Sequence, residues 1–143
     1  MSQEPTADIY RDILEQAPDA ILFADREGRI RIWNQGAERI FGFTAAEALG
    51  QSLDLIIPEK LRGRHWEGYR QVMATGESRY AADALLSVPA LHRDGHSVSV
   101  EFSIVMPTNA AEPPTGVAAI LRDVTARWQK EKELKARLAA LEK

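Results

Sequence analysis

Apolar and polar positions change their period several times along this chain, and each change predicts an element. Residues 7–17 (ADIYRDILEQA) place Ile9, Tyr10, Ile13, Leu14 and Ala17 at helical spacing, and Pro18 ends that helix. Ala20 to Ala24 is a short apolar run of the kind a buried strand shows. Asp25-Arg26-Glu27-Gly28 predicts a turn, because Gly28 can take a positive φ. Ile30 and Ile32 then alternate with Arg29 and Arg31, the period of a half-buried strand.

The middle of the chain is helical and tightly punctuated. Gly36 to Phe41 makes one or two turns. Thr44-Ala45-Ala46-Glu47 is a capping box, in which the hydroxyl takes an orphan backbone N–H and the carboxylate reaches back. Gly50 stops that helix, and Leu53 to Ile57 is apolar and compact. Pro58 suits the first turn of a longer helix running to about Thr75 and stopping at Gly76.

Strand periods return after Gly76. Ser78 to Leu91 alternates imperfectly, and Pro89 argues for an edge or a bulge. Arg93-Asp94-Gly95 predicts a hairpin turn. From His96 to Met106, Val98, Val100, Phe102, Ile104 and Met106 share one face. Residues 107–114 form a polar, proline-bearing loop, and Val117 to Val124 is the last strand. From Thr125 a charged helix begins. Leu134, Leu138 and Leu141 follow coiled-coil spacing, while Glu131 and Arg127 occupy the same frame closer to the domain and weaken the seam there. Lys130, Lys132, Lys135 and Arg137 alternate with Glu131 and Glu133, as on a solvated face.

The order is helix, two strands, three or four helices, three strands, helix. An α+β fold satisfies it, with a five-stranded antiparallel sheet, small helices packed on one face, and flanking N- and C-terminal helices. The expected division is residues 1–18 as an N-terminal helical cap, 19–125 as the domain, and 126–143 as a C-terminal signalling or coiled-coil helix.

Composition narrows the class. A chain of 143 residues builds one domain with a real core. Apolar residues are 45 %, charged residues 27 % and the net charge is −3, the balance of an ordinary globular protein. That charge argues against nucleic acid as the main partner. No run reaches the roughly 18 apolar residues of a membrane span. MSQEPTADIY lacks the basic start and apolar core of a secretory signal, so a cytoplasmic location is expected. The absence of cysteine excludes disulfides and thiolate metal sites.

Several short motifs together resemble a PAS domain over about residues 8 to 125. They are Asp25 to Gly28, Trp33-Asn34 followed by Ala37 and Gly42, Glu47 to Gly50, Arg93-Asp94-Gly95, and Arg122-Asp123-Val124-Thr125. The resemblance implies a sensory module that holds a small molecule, or nothing, in one pocket and passes its state to an attached helix. It implies that Asn34 ties backbone near the small helices, and that Asp123-Val124-Thr125 marks the junction with a signalling helix. It also implies a kinase, cyclase or transcription-factor output domain downstream. Cysteine-dependent light-oxygen-voltage photochemistry and a thioester-linked chromophore are excluded here.

The candidate ligand site centres on the helix after Pro58. Leu61, His65, Gly68 and Val72 lie on one stripe, flanked by Trp66, Tyr69 and Met73. A neutral imidazole facing an apolar pocket is what a haem iron takes as an axial ligand. Pro58, Arg62 and His65 also resemble the pattern that supplies the proximal histidine in haem-bearing PAS domains of oxygen-sensing kinases and phosphodiesterases. That resemblance implies b-type haem on His65, with Trp66, Tyr69, Met73, Leu86, Phe102 and Ile104 around it. Phe102 and Ile104 would then be on the distal strand. In those sensors an Arg or Met meets the sixth site. Here that position falls near Ala84 to Leu86, which offers neither, and an apolar distal face favours nitric oxide or carbon monoxide over oxygen.

Other readings stand beside it. His65 can pack or bond a loop carbonyl without haem, or contact a different ligand. A flavin would draw on Asn34, Gln35 and Gln71. Trp33 and Trp66 also read as plain core aromatics, and Trp128 as packing on the sheet or in a dimer seam. The pocket can also hold nothing, leaving a dimerisation module. His92 and His96 flank a turn and are expected to be exposed, poorly placed to join His65 around a metal. No Ser/His/Asp order, phosphate loop or phosphoacceptor segment is visible, so no catalytic residue is assigned and no enzyme is expected. A parallel homodimer is expected through Ile9, Tyr10, Ile13, Leu14 and the Leu134/Leu138/Leu141 seam.

Overall fold

The computed structural model describes residues 4, 6–77, 85–107 and 114–142. In chain order the elements are α1 (Ala7–Gln16), β1 (Ala20–Asp25), β2 (Ile30–Trp33), α2 (Gln35–Phe41), α3 (Ala45–Ala48), a 3-10 turn (Leu53–Ile56), α4 (Glu59–Thr75), β3 (Leu86–Leu91), β4 (Ser97–Val105), β5 (Gly116–Asp123) and α5 (Thr125–Leu141). The strands form one antiparallel sheet in the order β2-β1-β5-β4-β3. The first and last strands of the domain are therefore neighbours. The intervening helices leave the sheet from β2 at one edge and return at β3 on the other.

Register sets which residues face the helices, because cross-strand partners project to the same side. One row runs Leu86, Phe102, Leu121, Ala20, and the next runs Ile104, Ala119, Leu22, Trp33. Val117, Ala24 and Ile30 continue that face. Ala20, Leu22, Ala24, Ile30, Trp33 and Leu121 on this face are buried, together with Phe41, Leu53, Ile56, Tyr69 and Met73 from the helical side. The core thus lies between the sheet and the helices it supports.

Local chemistry accounts for the element ends. Thr44 and Glu47 make the expected capping box at α3. Gly76 ends α4 at φ 74, a left-handed conformation that glycine adopts without a Cβ penalty. Pro89 lies on the edge strand β3, where its missing N–H is harmless, and pairs with Ser99 in unbroken register. The irregularity is elsewhere, between Phe23 and Ala24 in the β1–β2 pairing. The strand expected from Ser78 begins, among the described residues, at Leu86; residues 78–84 lie outside them. Most of the 107–114 loop lies outside them too.

One expectation about a helix face changes. On α4 the buried residues are Tyr69 and Met73, while His65, Gly68 and Val72 are half-buried. The helix is rolled relative to the stripe centred on His65, because the Tyr69 hydroxyl donates into the end of β1 and pulls that face inward. α1 buries none of its residues, and Ile9, Tyr10 and Ile13 are 47, 61 and 65 % exposed. Among the described residues no helix is long and apolar enough to cross a membrane.

Candidate functional site

α4 meets the sheet at the β1–β2 end, and three side chains make the joint. The Tyr69 hydroxyl donates to the carbonyls of Asp25 at 2.5 Å and Ala24 at 3.1 Å. The Trp66 ring lies over Gly28, where a Cβ would stand only 2.2 Å from it. Gly28 has φ 79, so this turn needs glycine for its backbone and for the ring above it. Arg26 donates to the carbonyls of Pro114 at 2.5 Å and Met73 at 3.4 Å, tying the turn to the end of α4 and to the approach of β5.

The other end of α4 is fastened to the 3-10 turn. Arg62 donates to the carbonyls of Ile57 at 3.0 Å and Asp54 at 3.2 Å, the second of which also takes the Ile57 N–H that closes the turn. The Trp66 indole N–H donates to the Asp54 carboxylate at 2.7 Å. Arg62 therefore holds backbone in this structure.

His65 lies between these two joints. Its ring meets Trp66 edge-on at 4.7 Å and Tyr69 at 5.7 Å between centroids. Nδ1 is buried and has no hydrogen-bond partner among the described residues. Burial lowers the imidazole pKa from its ordinary value, and the nearby Asp54 charge opposes this without reversing it. The ring is thus held neutral near pH 7. A buried, neutral imidazole with an unsatisfied nitrogen is a Lewis base awaiting an acceptor, and it meets the chemical requirement for an axial haem ligand.

The remaining expected site residues divide. Trp66, Tyr69, Met73 and Phe102 belong to, or pack against, one continuous apolar cluster. Leu86 stands directly across from Phe102, and Ile104 across from Ala119; both are half-buried and outside the described cluster. Tyr69 does more than line space: burial first, then the Asp25 and Glu27 charges, push its phenol pKa up to about 12.

The residues weighed for a flavin are placed differently. Asn34 is fully buried, but its Oδ1 accepts from Ile21 and Ala37 N–H groups and its Nδ2 donates to the Leu14 and Asp19 carbonyls. Its hydrogen-bonding capacity is spent on backbone. Gln35 and Gln71 are exposed. Trp33 is buried and donates to the Phe43 carbonyl at 2.9 Å, a core role. Trp128 is partly exposed on α5, with the Lys132 ammonium 5.1 Å from its ring centroid.

Sequence reading missed Asp54 and Arg26. Their partners are remote in the chain and neither falls on a periodic face, so no local signal marks them. It also expected His92 to be exposed, whereas the side chain is only 23 % so, because the ring packs against Gly42.

A single antiparallel sheet carrying small helices, with a half-buried histidine on α4, defines a small α+β domain. The family model described as PAS fold matches residues 14–129, and the chain belongs to that family. It is 31 % identical over 124 residues to the sensor protein FixL of Bradyrhizobium diazoefficiens, covering 87 % of this chain and 24 % of FixL. It is 22 % identical over 134 residues to the oxygen sensor protein DosP of Escherichia coli K12, covering 94 % of this chain and 16 % of DosP. The chain thus spans a quarter or less of these relatives. Among solved structures it resembles an RNA-binding light-oxygen-voltage receptor, with TM-score 0.75, 26 % identity and coverage of 98 % of this chain and 40 % of that one. The PAS domain of a Colwellia psychrerythraea protein superposes with TM-score 0.71 at 22 % identity, covering 83 % of this chain and 97 % of that one.

Proposed function

We propose that this PAS domain is a gas-sensing input module that holds b-type haem on His65 and relays its state through a dimer and α5 to an output domain such as a kinase, cyclase or transcription factor. The observation that carries this reading is the buried Nδ1 of a neutral His65, which has no hydrogen-bond partner among the described residues. The similarity to FixL and DosP supports it. Bound haem would supply an iron coordination position for a diatomic gas. The protein's part is to hold His65 neutral by burial, to shape the apolar surroundings with Trp66, Tyr69, Met73, Leu86, Phe102 and Ile104, and to keep water out. No side chain in this reading carries out catalysis.

Relay requires that ligand binding favour one of two packings of the sheet against its helices. The junction is built for coupling: the Thr125 hydroxyl accepts from the Ser99 N–H at 3.0 Å, and Arg127 on the first turn of α5 pairs with Glu101 on β4. β4 is the strand that carries Phe102 and Ile104. The exposed apolar residues of α1 and of α5, Leu134, Leu138 and Leu141, are what a parallel homodimer would cover.

The test is the absorption spectrum of the purified protein after addition of haemin, beside His65→Ala. A sharp Soret band at roughly 400–430 nm, lost in the variant and shifted by carbon monoxide or nitric oxide, is the expected result. A broad haemin spectrum identical in both proteins refutes the haem reading. The competing reading is a ligand-free dimerisation module. It is favoured by the Trp66 ring on Gly28 and by the Tyr69 hydroxyl on β1, which fill space with protein atoms. A yellow protein as purified would instead indicate flavin.

A further inference from the structure

The β3–β4 turn reads His92-Arg93-Asp94-Gly95-His96. The His92 N–H donates to the His96 carbonyl and the Gly95 N–H to the His92 carbonyl, each at 2.9 Å. This closure sets the two imidazoles side by side, stacked at 4.4 Å between centroids and 18° between planes. Asp94 reaches the same edge. Its Oδ1 stands 3.2 Å from His92 Nδ1 and in direct contact with His96 Nδ1. One ligand atom from each of the three residues lies within 4.8 Å of the others.

Two features make this more than a surface cluster of charges. The Asp94 N–H donates to His92 Nδ1 at 3.2 Å, so that nitrogen presents a lone pair, and the lone pair shares its surroundings with a carboxylate oxygen. Backbone N–H groups of Asp94 and His96 hold the two acceptors at this spacing, and a cation can take the place of those donors. The acceptors' 3.2 Å separation also matches the edge of a tetrahedron, about 3.3 Å for bonds of 2.0–2.1 Å to zinc. The turn itself is anchored. The His92 ring abuts Gly42, the Arg93 N–H donates to the Phe41 carbonyl at 2.8 Å, and the Arg93 guanidinium bonds Glu47 at 2.5 Å. Held against α2 and α3, the turn loses little freedom on binding a metal.

We propose that His92, Asp94 and His96 bind a single zinc-type divalent cation. Water completes the coordination, since the Asp94 and His96 side chains are 61 and 57 % exposed. Two imidazoles with one carboxylate select zinc and its borderline neighbours over magnesium or calcium, which prefer all-oxygen shells. Binding replaces the long N–H bond on His92 Nδ1 and opens the close Asp94–His96 contact to the ligand–ligand separation of about 3.3 Å that a tetrahedral zinc requires. The bound cation locks the β3–β4 turn onto the α2–α3 cap. The site is separate from His65 and stands whether or not haem binds.

Titration of the full chain with zinc against a chromophoric chelator tests this, in buffer free of phosphate. One zinc per chain is expected, with affinity at least ten-fold weaker in His96→Gln and in Asp94→Asn and unchanged in His65→Ala. Zinc should also raise the melting temperature of the wild type and not that of His96→Gln, whose exposed position leaves folding intact. Equal zinc affinity in the wild type, His96→Gln and Asp94→Asn overturns the proposal. So does loss of binding in His65→Ala.

Discussion

The side-chain amide of Asn34 donates to the carbonyl of Leu14 at 2.8 Å, fastening the last turn of α1 to the start of α2. The same residue accepts from Ile21 on β1 at 2.8 Å and from Ala37 on α2 at 2.9 Å, and donates to Asp19 at 3.0 Å. One fully buried side chain thus joins the N-terminal helix, a central strand and the first small helix.

Asn34→Leu keeps the branched shape, adds bulk and removes every one of those bonds, leaving buried backbone donors and acceptors unpaired. A loss of about 2–4 kcal/mol is expected. Urea unfolding reads it as a lower midpoint at unchanged slope. A loss below about 0.5 kcal/mol would show that water replaces the side chain.

Tyr69→Phe removes the hydroxyl that holds α4 to the end of β1, and about 1–2 kcal/mol should go with it. With the phenol pKa pushed up to about 12, Tyr69 stays protonated where an ordinary tyrosine ionises. Phenolate absorbance of the wild type and Tyr69→Phe should therefore coincide up to about pH 11. An extra ionisation near pH 10 in the wild type would contradict the buried placement.

His65 makes stability fall as pH falls. Burial holds its folded pKa below the ordinary histidine value of 6.5, so the unfolded chain takes up a proton first. The loss begins as pH drops through 6.5 and levels off once the folded state also protonates. His65→Leu should flatten this slope across that window, read from unfolding midpoints at several pH values. The same slope in both proteins would place His65 in solvent.

Gly28→Ala forces a Cβ into the Trp66 ring at a backbone φ of 79. Gly50→Ala bears similar backbone strain at φ 86 with nothing within 4 Å. The first should cost at least about 1 kcal/mol more than the second and shift the tryptophan fluorescence. Equal costs would mean that the ring moves aside freely.

The exposed apolar faces of α1 and α5 predict a dimer in solution. Sedimentation or light scattering should give twice the chain mass for the full chain and a weaker dimer for a chain ending at Thr125. Monomers in both cases would remove the dimer and with it this route of relay.

Much of the fold was legible because its signals are local. Thr44 with Glu47, Gly76 after α4 and the alternation in β4 each act over a few residues, and backbone sterics or hydrogen bonding determine them. The candidate site was legible only in part. Spacing placed His65 on a largely apolar helix, yet it centred the buried stripe on Leu61, His65, Gly68 and Val72. The roll toward Tyr69 and Met73 comes from bonds to Ala24 and Asp25, more than forty residues away. No periodicity records such a partner.

The sequence by itself determined the order of helices and strands, that an antiparallel sheet satisfies it, and that a histidine stands among apolar positions on the helix after Pro58. Those follow from side-chain period, capping and turn sterics, all short-range. Only the tertiary structure decided the strand order, which makes β1 and β5 neighbours and puts Ala20, Leu121, Phe102 and Leu86 in one row. Only it left His65 Nδ1 buried with no partner among the described residues, and spent Asn34 on backbone. These depend on what the chain folds against, and burial and long-range hydrogen bonds exist only once the sheet has closed.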